Sequence, residues 1–108
     1  MAKFEIKRDK AGEYRFNLKA RNGQVILSSE GYKAKASCLN GIESVRTNSQ
    51  LDKRFEKKQT STGYKFNLES GNGQIIGTSE IYTTLGAMEK GISSVKKNAP
   101  AASVDDVS

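Results

Sequence analysis

The chain has 108 residues, with 18 Lys and Arg against 12 Asp and Glu, a formal charge of +6 and 35% hydrophobic residues, as in a small basic globular domain. It contains no histidine and one cysteine, Cys38, which excludes Ser/His and Cys/His nucleophile pairs, a zinc site and an intramolecular disulfide. No apolar run reaches the length of a membrane span and no glycine-rich phosphate loop appears, so we expect a cytoplasmic protein without cofactor, metal or membrane contact.

The first two predicted elements are half-buried strands, at residues 3–7 and 13–20, joined by the polar turn DKAG. Polar and apolar residues alternate along both segments, as in a sheet with one buried face. The alternation puts five apolar side chains on the inner face: Phe4, Ile6, Tyr14, Phe16 and Leu18. The opposite face carries mainly polar side chains: Lys3, Glu5, Lys7, Arg15, Asn17 and Lys19.

An Asn-Gly pair at residues 22–23 then predicts a turn into a third strand. A two-residue turn would place Val25 and Leu27 on the inner face. A three-residue loop with Gly23 in the left-handed conformation would instead place Ile26 inward, opposite Leu18. We favour the three-residue loop, which predicts that Val25 and Leu27 lie on the outer face.

From about residue 34 the hydrophobic period becomes helical, with Cys38, Ile42 and Val45 on one stripe. Asn48 is typical of a left-handed helix C-cap. Gly41 lies on the buried stripe, where glycine costs about 1 kcal/mol relative to alanine. We therefore expect another group to approach the helix backbone closely at Gly41.

The chain repeats these elements fifty residues later, and about half of the positions between 14 and 48 are identical in the second copy. The first copy carries one extra residue near its first turn. The second copy predicts Thr84 as N-cap and Asn98 as left-handed C-cap, with Ile76 inward and Ile75 outward. Its helical stripe consists of Leu85, Met88, Ile92 and Val95, with Gly91 in the place of Gly41. Two incomplete copies that share one core explain the repeat, because a unit of roughly 50 residues buries too little surface alone.

The two phrases NGQVILSSEGY with GIESV and NGQIIGTSEIY with GISSV resemble the signature of the YegP-like family, bacterial proteins built from a domain of unknown function. The resemblance covers about residues 3–107. It implies an α+β fold of two tandem β-β-β-α-β repeats related by a pseudo-two-fold. One shared antiparallel sheet would have helices on one face and exchanged C-terminal strands, near residues 54–58 and 104–107. We expect one compact domain over 1–108, with repeats at about 3–50 and 53–100 and a tail or short final strand at 101–108.

The repeated motif Ser-Glu-x-Tyr, at Ser29, Glu30 and Tyr32 and at Ser79, Glu80 and Tyr82, allows two interpretations. Glutamate and tyrosine can act as acid and base, and an enzyme would need a pocket that unites these residues from both copies. The alternative is structural, with the glutamate near a helix N-terminus and the tyrosine anchoring a strand end. We favour the structural interpretation and expect no enzyme.

The remaining functional signal is the basic charge, which lies in the first copy: residues 1–50 carry 10 Lys and Arg against 5 Asp and Glu, and the rest carry 8 against 7. We predict a monomeric, noncatalytic interaction module with a protein partner, its two repeats mimicking a dimer. The alternative is weak, nonspecific nucleic-acid binding through a basic sheet face, although no exposed strand aromatics offer a stacking platform. The candidate interaction surface consists of Lys3, Lys7, Arg15, Asn17, Lys19, Val25, Lys58, Lys65 and Asn67.

Overall fold

The computed structural model describes all 108 residues as a seven-stranded sheet with two α-helices packed on one face. The first repeat supplies β1 (Lys3–Arg8), β2 (Tyr14–Lys19), β3 (Val25–Ser28) and α1 (Lys35–Asn48). A short 3-10 helix (Asp52–Arg54) leads into β4 (Phe55–Gln59), β5 (Tyr64–Glu69), β6 (Ile75–Thr78), α2 (Leu85–Asn98) and β7 (Ser103–Asp106). The strand order is β4-β5-β6-β3-β2-β1-β7, so the two repeats meet at the centre between β3 and β6.

The sheet is mixed, which corrects the prediction of a purely antiparallel sheet. Strand β7 follows the second repeat but pairs with β1 of the first, so the final strand is exchanged as the family resemblance implies. The pairing is parallel, with Lys3 opposite Ser103 and Ile6 opposite Asp106. The pairing is parallel because the chain leaves α2 beside the start of β1 and then runs in the same direction as β1.

The prediction that residues 54–58 form a second exchanged strand is wrong. These residues enter β4, which pairs antiparallel with β5 of its own repeat and leaves the other edge of β4 without a strand. The connection explains the difference. Residues 49–54 turn out of α1 and form the 3-10 helix, and Phe55 donates its backbone N–H to Asp52 O. No residues remain there for a separate strand.

The loop between β2 and β3 has the predicted three residues, because Ala20 and Gln24 flank it and are hydrogen bonded. Gly23 has φ +83°, the left-handed conformation that a loop of this length requires. The predicted register of β3 is nevertheless wrong. A bulge shifts the pairing between Leu18 and Lys19, so Leu27 rather than Ile26 lies opposite Leu18.

The bulge brings adjacent residues of β3 into the core. Leu27 is fully buried, against the prediction that it lies on the outer face, and Ile26 is buried beside it. In the second repeat Ile76 is buried in the same way, and Gly77 occupies the position equivalent to Leu27, opposite Leu68. Val25 does lie on the outer face, since it pairs with Lys19, and Ile75 is exposed there.

The helices contribute their predicted stripes to a single core of 19 residues drawn from both repeats. Leu85 is the exception: the helix begins at this residue, core contacts begin one turn later at Met88, and Leu85 stays exposed. Thr84 caps α2 as predicted, accepting the Ala87 N–H at 3.0 Å.

The predicted left-handed C-caps at Asn48 and Asn98 are wrong. No residue other than glycine has a positive φ, and both helices continue right-handed into Ser49 and Ala99. Because the backbone does not reverse there, each asparagine is free to bond within its own helix. The Nδ2 of each donates to a carbonyl one turn earlier at 2.9 Å, Ser44 O or Ser94 O.

At the pseudo-two-fold axis (the dyad) that relates the two repeats, the side chains that meet are complementary in size rather than identical. A Cβ built on Gly77 would lie 2.6 Å from Leu27 Cδ2, so the side chain of Leu27 fills the space that the absent side chain leaves. Only one residue pair, Ser28 and Thr78, joins β3 to β6. Apart from the pairing of β7 with β1, the two repeats are therefore held together mainly by side-chain packing beneath the sheet.

A tyrosine crosses to the helix in each repeat and explains the buried glycines. Tyr32 stacks on Phe16 with ring centroids 6.4 Å apart, and a Cβ on Gly41 would lie 2.5 Å from its hydroxyl oxygen. Tyr82 repeats this arrangement on Phe66, 2.4 Å from a Cβ on Gly91. The close approach predicted at the two glycines is therefore the tyrosine.

We expect Gly91→Ala to lower the free energy of unfolding by about 1–3 kcal/mol, because its Cβ would overlap Tyr82. Gly86 in the same helix is the matched control, since a Cβ there meets nothing within 4 Å. Gly86→Ala should raise the free energy of unfolding by about 1 kcal/mol through helix propensity alone. Urea unfolding of both variants checks this; equal effects would show that the tyrosine contact is not limiting.

The dyad contact predicts strong coupling between Leu27 and Gly77. Leu27→Gly should destabilise by about 2–5 kcal/mol through a cavity, and Gly77→Leu by about 1–3 kcal/mol through overpacking. The double variant exchanges the two residues across the dyad and should recover more than about 1 kcal/mol of the summed loss. Chemical denaturation of the four proteins measures the coupling, and strictly additive losses would contradict the packing.

Candidate interaction surface

The face of the sheet opposite the helices is open, and a continuous line of polar side chains crosses it. Strand register places six of them side by side, one from each strand β1 to β6. We call these residues the polar row: Glu5, Asn17, Ser28, Thr78, Asn67 and Glu56. The pseudo-dyad passes between Ser28 and Thr78, so the row is nearly symmetric in chemistry.

Hydrogen bonds fix the middle of the polar row. Ser28 Oγ donates to Asn17 Oδ1 at 2.7 Å, and Thr78 Oγ1 donates to Asn67 Oδ1 at 3.0 Å. The Nδ2 of Asn67 then donates to Glu56 Oε1 at 3.1 Å. Asn67 is consequently buried, and Asn17 is half-buried, rather than simply solvated. These side chains present an ordered surface, not a set of free rotamers.

Lysines surround the other end of the row at Glu5. Its carboxylate lies 3.0 Å from Lys19 Nζ, 3.3 Å from Lys7 Nζ and 3.9 Å from Lys3 Nζ. The ammonium groups of Lys19, and then Lys7, lower the pKa of Glu5, while burial beneath the lysine side chains opposes that shift. Lys3 also binds Asp105 of β7 at 3.1 Å. Three of the predicted surface lysines thus form one ion-pair cluster.

Arg15 belongs to the same face but has its own partners. Its Nε donates to Asp9 Oδ2 at 2.7 Å and its Nη1 to Ser29 O at 3.2 Å. The bond from Arg15 is the main cause of a lowered pKa of Asp9, which also accepts the backbone N–H groups of Glu13 and Ala11. Arg15 borders a shallow depression of about 290 Å³ that spans both repeats.

The remaining predicted residues lie on the half of the face that the second repeat supplies, or near the dyad. Lys58 and Lys65 are paired across β4 and β5, and Lys58 Nζ lies 3.8 Å from Glu56. Val25 lies beside Lys19, and the exposed Ile75 occupies the equivalent place in the second repeat. All nine candidate residues therefore share one face of the sheet.

The repeated Ser-Glu-x-Tyr motif does not form a shared pocket. Ser29 Oγ accepts the Phe16 N–H at 2.9 Å and donates to Glu30 O, while the Tyr32 ring lies on the inner face against α1. Burial raises the pKa of Tyr32. Glu30 is exposed, whereas the Tyr32 ring is half-buried and packs on Phe16. Cys38 is fully buried and burial raises the pKa of its thiol, as expected of a core residue.

Sequence reasoning placed the candidate residues on one face but missed the polar row. Alternation predicts which residues share a face, whereas the row depends on the register between strands, and the bulge in β3 brings Ser28 beside Asn17. The sequence carried a signal: an Asn in mid-strand in both repeats, with a hydroxyl residue eleven positions later. The 14-residue helices are the longest, and none is long and apolar enough to cross a membrane.

A family model described as Domain of unknown function (DUF1508) matches the chain twice, over residues 9–56 and 60–106. The chain belongs to this family. The first match begins after β1 and ends in β4, and the second covers β5, β6, α2 and β7. The family is described as one of unknown function. Curated relatives include a UPF0339 protein in the ptx operon 5' region of Stutzerimonas stutzeri, 66% identical over 55 residues, which is 51% of this chain and 50% of that protein. The chain spans about half the length of that relative.

Two solved structures share the fold. The solution structure of the protein of unknown function YegP from E. coli is 46% identical, with a TM-score of 0.93 over 98% of this chain and 92% of that one. A UPF0339 protein from Shewanella oneidensis is 40% identical, with the same TM-score over 98% and 91%. The arrangement of two repeats in one sheet is thus the architecture of these relatives.

The lysine cluster predicts the titration of Glu5. Because its folded-state pKa lies below the unfolded value of about 4.3, Glu5 contributes stability above that pH and the contribution is lost as pH falls through the folded-state pKa. Lys19→Met should raise the pKa of Glu5, whereas Lys3→Met, which removes a more distant ammonium, should change it less. Carboxyl chemical shifts measured against pH test this; equal shifts would contradict the assignment.

Proposed function

We propose that the protein is a noncatalytic interaction module that binds a protein partner through the open face of its sheet. The polar row carries this proposal. Binding costs side-chain entropy, and a surface whose side chains already hold one another in place loses less on association. The row offers amides, hydroxyls and carboxylates across six strands, which suits a flat polar partner surface.

The chemistry of the partner is set by the rim of the face. In the first repeat, Lys3, Lys7 and Lys19 surround Glu5 and Arg15 pairs with Asp9. In the second repeat, Lys58 and Lys65 lie on the same face as Glu56 and Glu69. The exposed Ile75 and the half-buried Val25 add apolar area near the dyad. An acidic, hydrogen-bonding protein surface with a small apolar centre fits this arrangement.

Two features support a role without catalysis. The chain has no histidine, and the glutamate and tyrosine of the repeated motif do not line a common cavity. In the depressions on the open face, the hydroxyls of Ser28, Ser29 and Thr78 donate to amide or backbone oxygens and not to a carboxylate that could act as a base. We further propose that the protein acts as a monomer in the cytoplasm, where its single buried thiol would stay reduced.

Nucleic-acid binding through the same face stays a prediction with weaker support. All four cations of the first repeat on that face are ion paired, with Glu5, Asp9 or Asp105. A phosphate backbone would have to compete with these carboxylates for each contact. The aromatic rings of the strands point toward the helices, so bases would find no stacking platform.

The test is site-specific photo-crosslinking in cells, followed by binding measurements with the purified partner. A photoreactive residue at Ser28 or Thr78 should capture one partner, and the same residue at Ser93 on α2 should not. Lys58→Glu with Lys65→Glu should weaken binding by about 10-fold or more, because it reverses the rim charge. Lys33→Glu with Lys53→Glu is the matched control and should have little effect.

Capture of the same partner from Ser93 but not from the open face would refute the proposal. So would equal loss of affinity in the two charge-reversal variants, since binding would then follow net charge rather than this surface. A thermal melt of each variant confirms that the fold is retained.

A further inference from the structure

A second surface, on the helix side, collects cations that no carboxylate neutralises. The loop between β2 and β3 lies against α2, and the two enclose a depression of about 390 Å³. Arg21 from the loop and Lys90 and Lys97 from the helix line it, and no Asp or Glu does. We call these three residues the cation triad.

The cation triad belongs to the half of the Lys and Arg side chains that form no ion pair. Nine of the 18 Lys and Arg side chains form ion pairs, including every cation of the first repeat on the open face, but Arg21, Lys90 and Lys97 form none. Three like charges around one depression repel one another unless an anion lies between them. Lys97 also lies in the last turn of α2, where the helix dipole favours a cation, but that explanation does not reach Lys90 or Arg21.

The internal repeat supplies a comparison within the same chain. At the dyad-related place, formed by the other loop and α1, the triad positions are occupied by Gly71, Asn40 and Thr47. Ser93 in the depression corresponds to Glu43, which would repel an anion. By contrast, the structural residues Asn22, Ser94 and Asn98 are identical in the two copies. The copies therefore keep the same scaffold and differ in charge at these four positions. The dyad-related place has one cation of its own, Arg54, whose Nη2 would lie 3.4 Å from a Cβ on Gly71 and whose Nε donates to Asn48 Oδ1.

Neutral donors complete the depression. Asn22 Oδ1 accepts the Gln24 N–H at 2.9 Å, which orients the side chain and leaves its Nδ2 free to donate. The hydroxyl of Ser93 also lines the depression. A second depression of about 260 Å³ continues from Arg21 and Lys97 and has Ala101 and Ala102 on its wall. The space is larger than one phosphate group needs and falls in the range of small-ligand sites.

We propose that the cation triad is a binding site for a small anion with two or more closely spaced phosphate groups. Arginine and lysine together provide charge-assisted hydrogen bonds to several phosphate oxygens. The site draws Arg21 from the first repeat and Lys90 and Lys97 from the second, so it exists only where both repeats are assembled. It is separate from the open face and does not depend on the function proposed for that face.

The test uses inorganic tripolyphosphate, with orthophosphate as the single-phosphate comparison, in amide NMR titrations at low salt. Tripolyphosphate should bind saturably and shift the amides of Arg21, Asn22, Lys90 and Lys97, and orthophosphate should bind at least about 10-fold more weakly. The triple variant Arg21→Gly, Lys90→Asn, Lys97→Thr introduces the residues of the other repeat. It should keep the fold and lose about 10-fold or more in affinity.

The matched control removes the same charge elsewhere, with Lys10→Gln, Lys33→Gln and Lys53→Gln, three lysines that also form no ion pair. It should bind tripolyphosphate within about twofold of the unaltered protein. Equal weakening in both triple variants would overturn the proposal, as would the absence of saturable binding to the unaltered protein at millimolar tripolyphosphate. Lys58→Glu with Lys65→Glu should leave tripolyphosphate binding within about threefold of the unaltered value, whether or not the open face binds a protein.

Discussion

The fold depends on the contact of Leu27 with the space above Gly77. Each repeat contributes three strands and a helix, yet the halves of the sheet are joined by one residue pair, and the core beneath is continuous across the join. A buried leucine side chain contributes roughly 1.5–3 kcal/mol through removal from water. That contribution is available only if the opposing strand leaves room, and Gly77 leaves it.

The contact between the two repeats determines where the helices and the two surface sites lie. With the halves joined, α1 reaches β5 and β6 as well as β2, and α2 reaches β3, so each helix covers part of the other repeat. Helices on one face leave the other face open, and the register across the join aligns Ser28 with Thr78. The polar row is thus a by-product of the same join that completes the core. The cation triad arises likewise, because α2 of one repeat lies over a loop of the other.

Much of the fold was accessible from the sequence because it rests on local signals. The period of two gave the strands, the period near 3.6 gave the helices, and the Asn-Gly pair gave the loop with Gly23 in the left-handed conformation. The buried glycines pointed to a close approach, which Tyr32 and Tyr82 provide.

The features that sequence reasoning missed depend on contacts between distant segments. The bulge of β3 turns Leu27 into the core, where the sequence had predicted the outer face. The parallel pairing of β7 with β1 depends on the position at which the chain leaves α2. The same holds for the open face. The alternation of polar and apolar residues identified the nine candidate residues, but their hydrogen bonds could be found only once the register between strands was known.

The unequal pair at the centre also limits how such a chain can evolve. Two first repeats placed together would bring leucine against leucine at the axis, and two second repeats would bring glycine against glycine and leave a void. Neither half is therefore suited to pair with a copy of itself. The two repeats have therefore become complementary in shape. If either were lost, the other would have no partner that fits its contact surface.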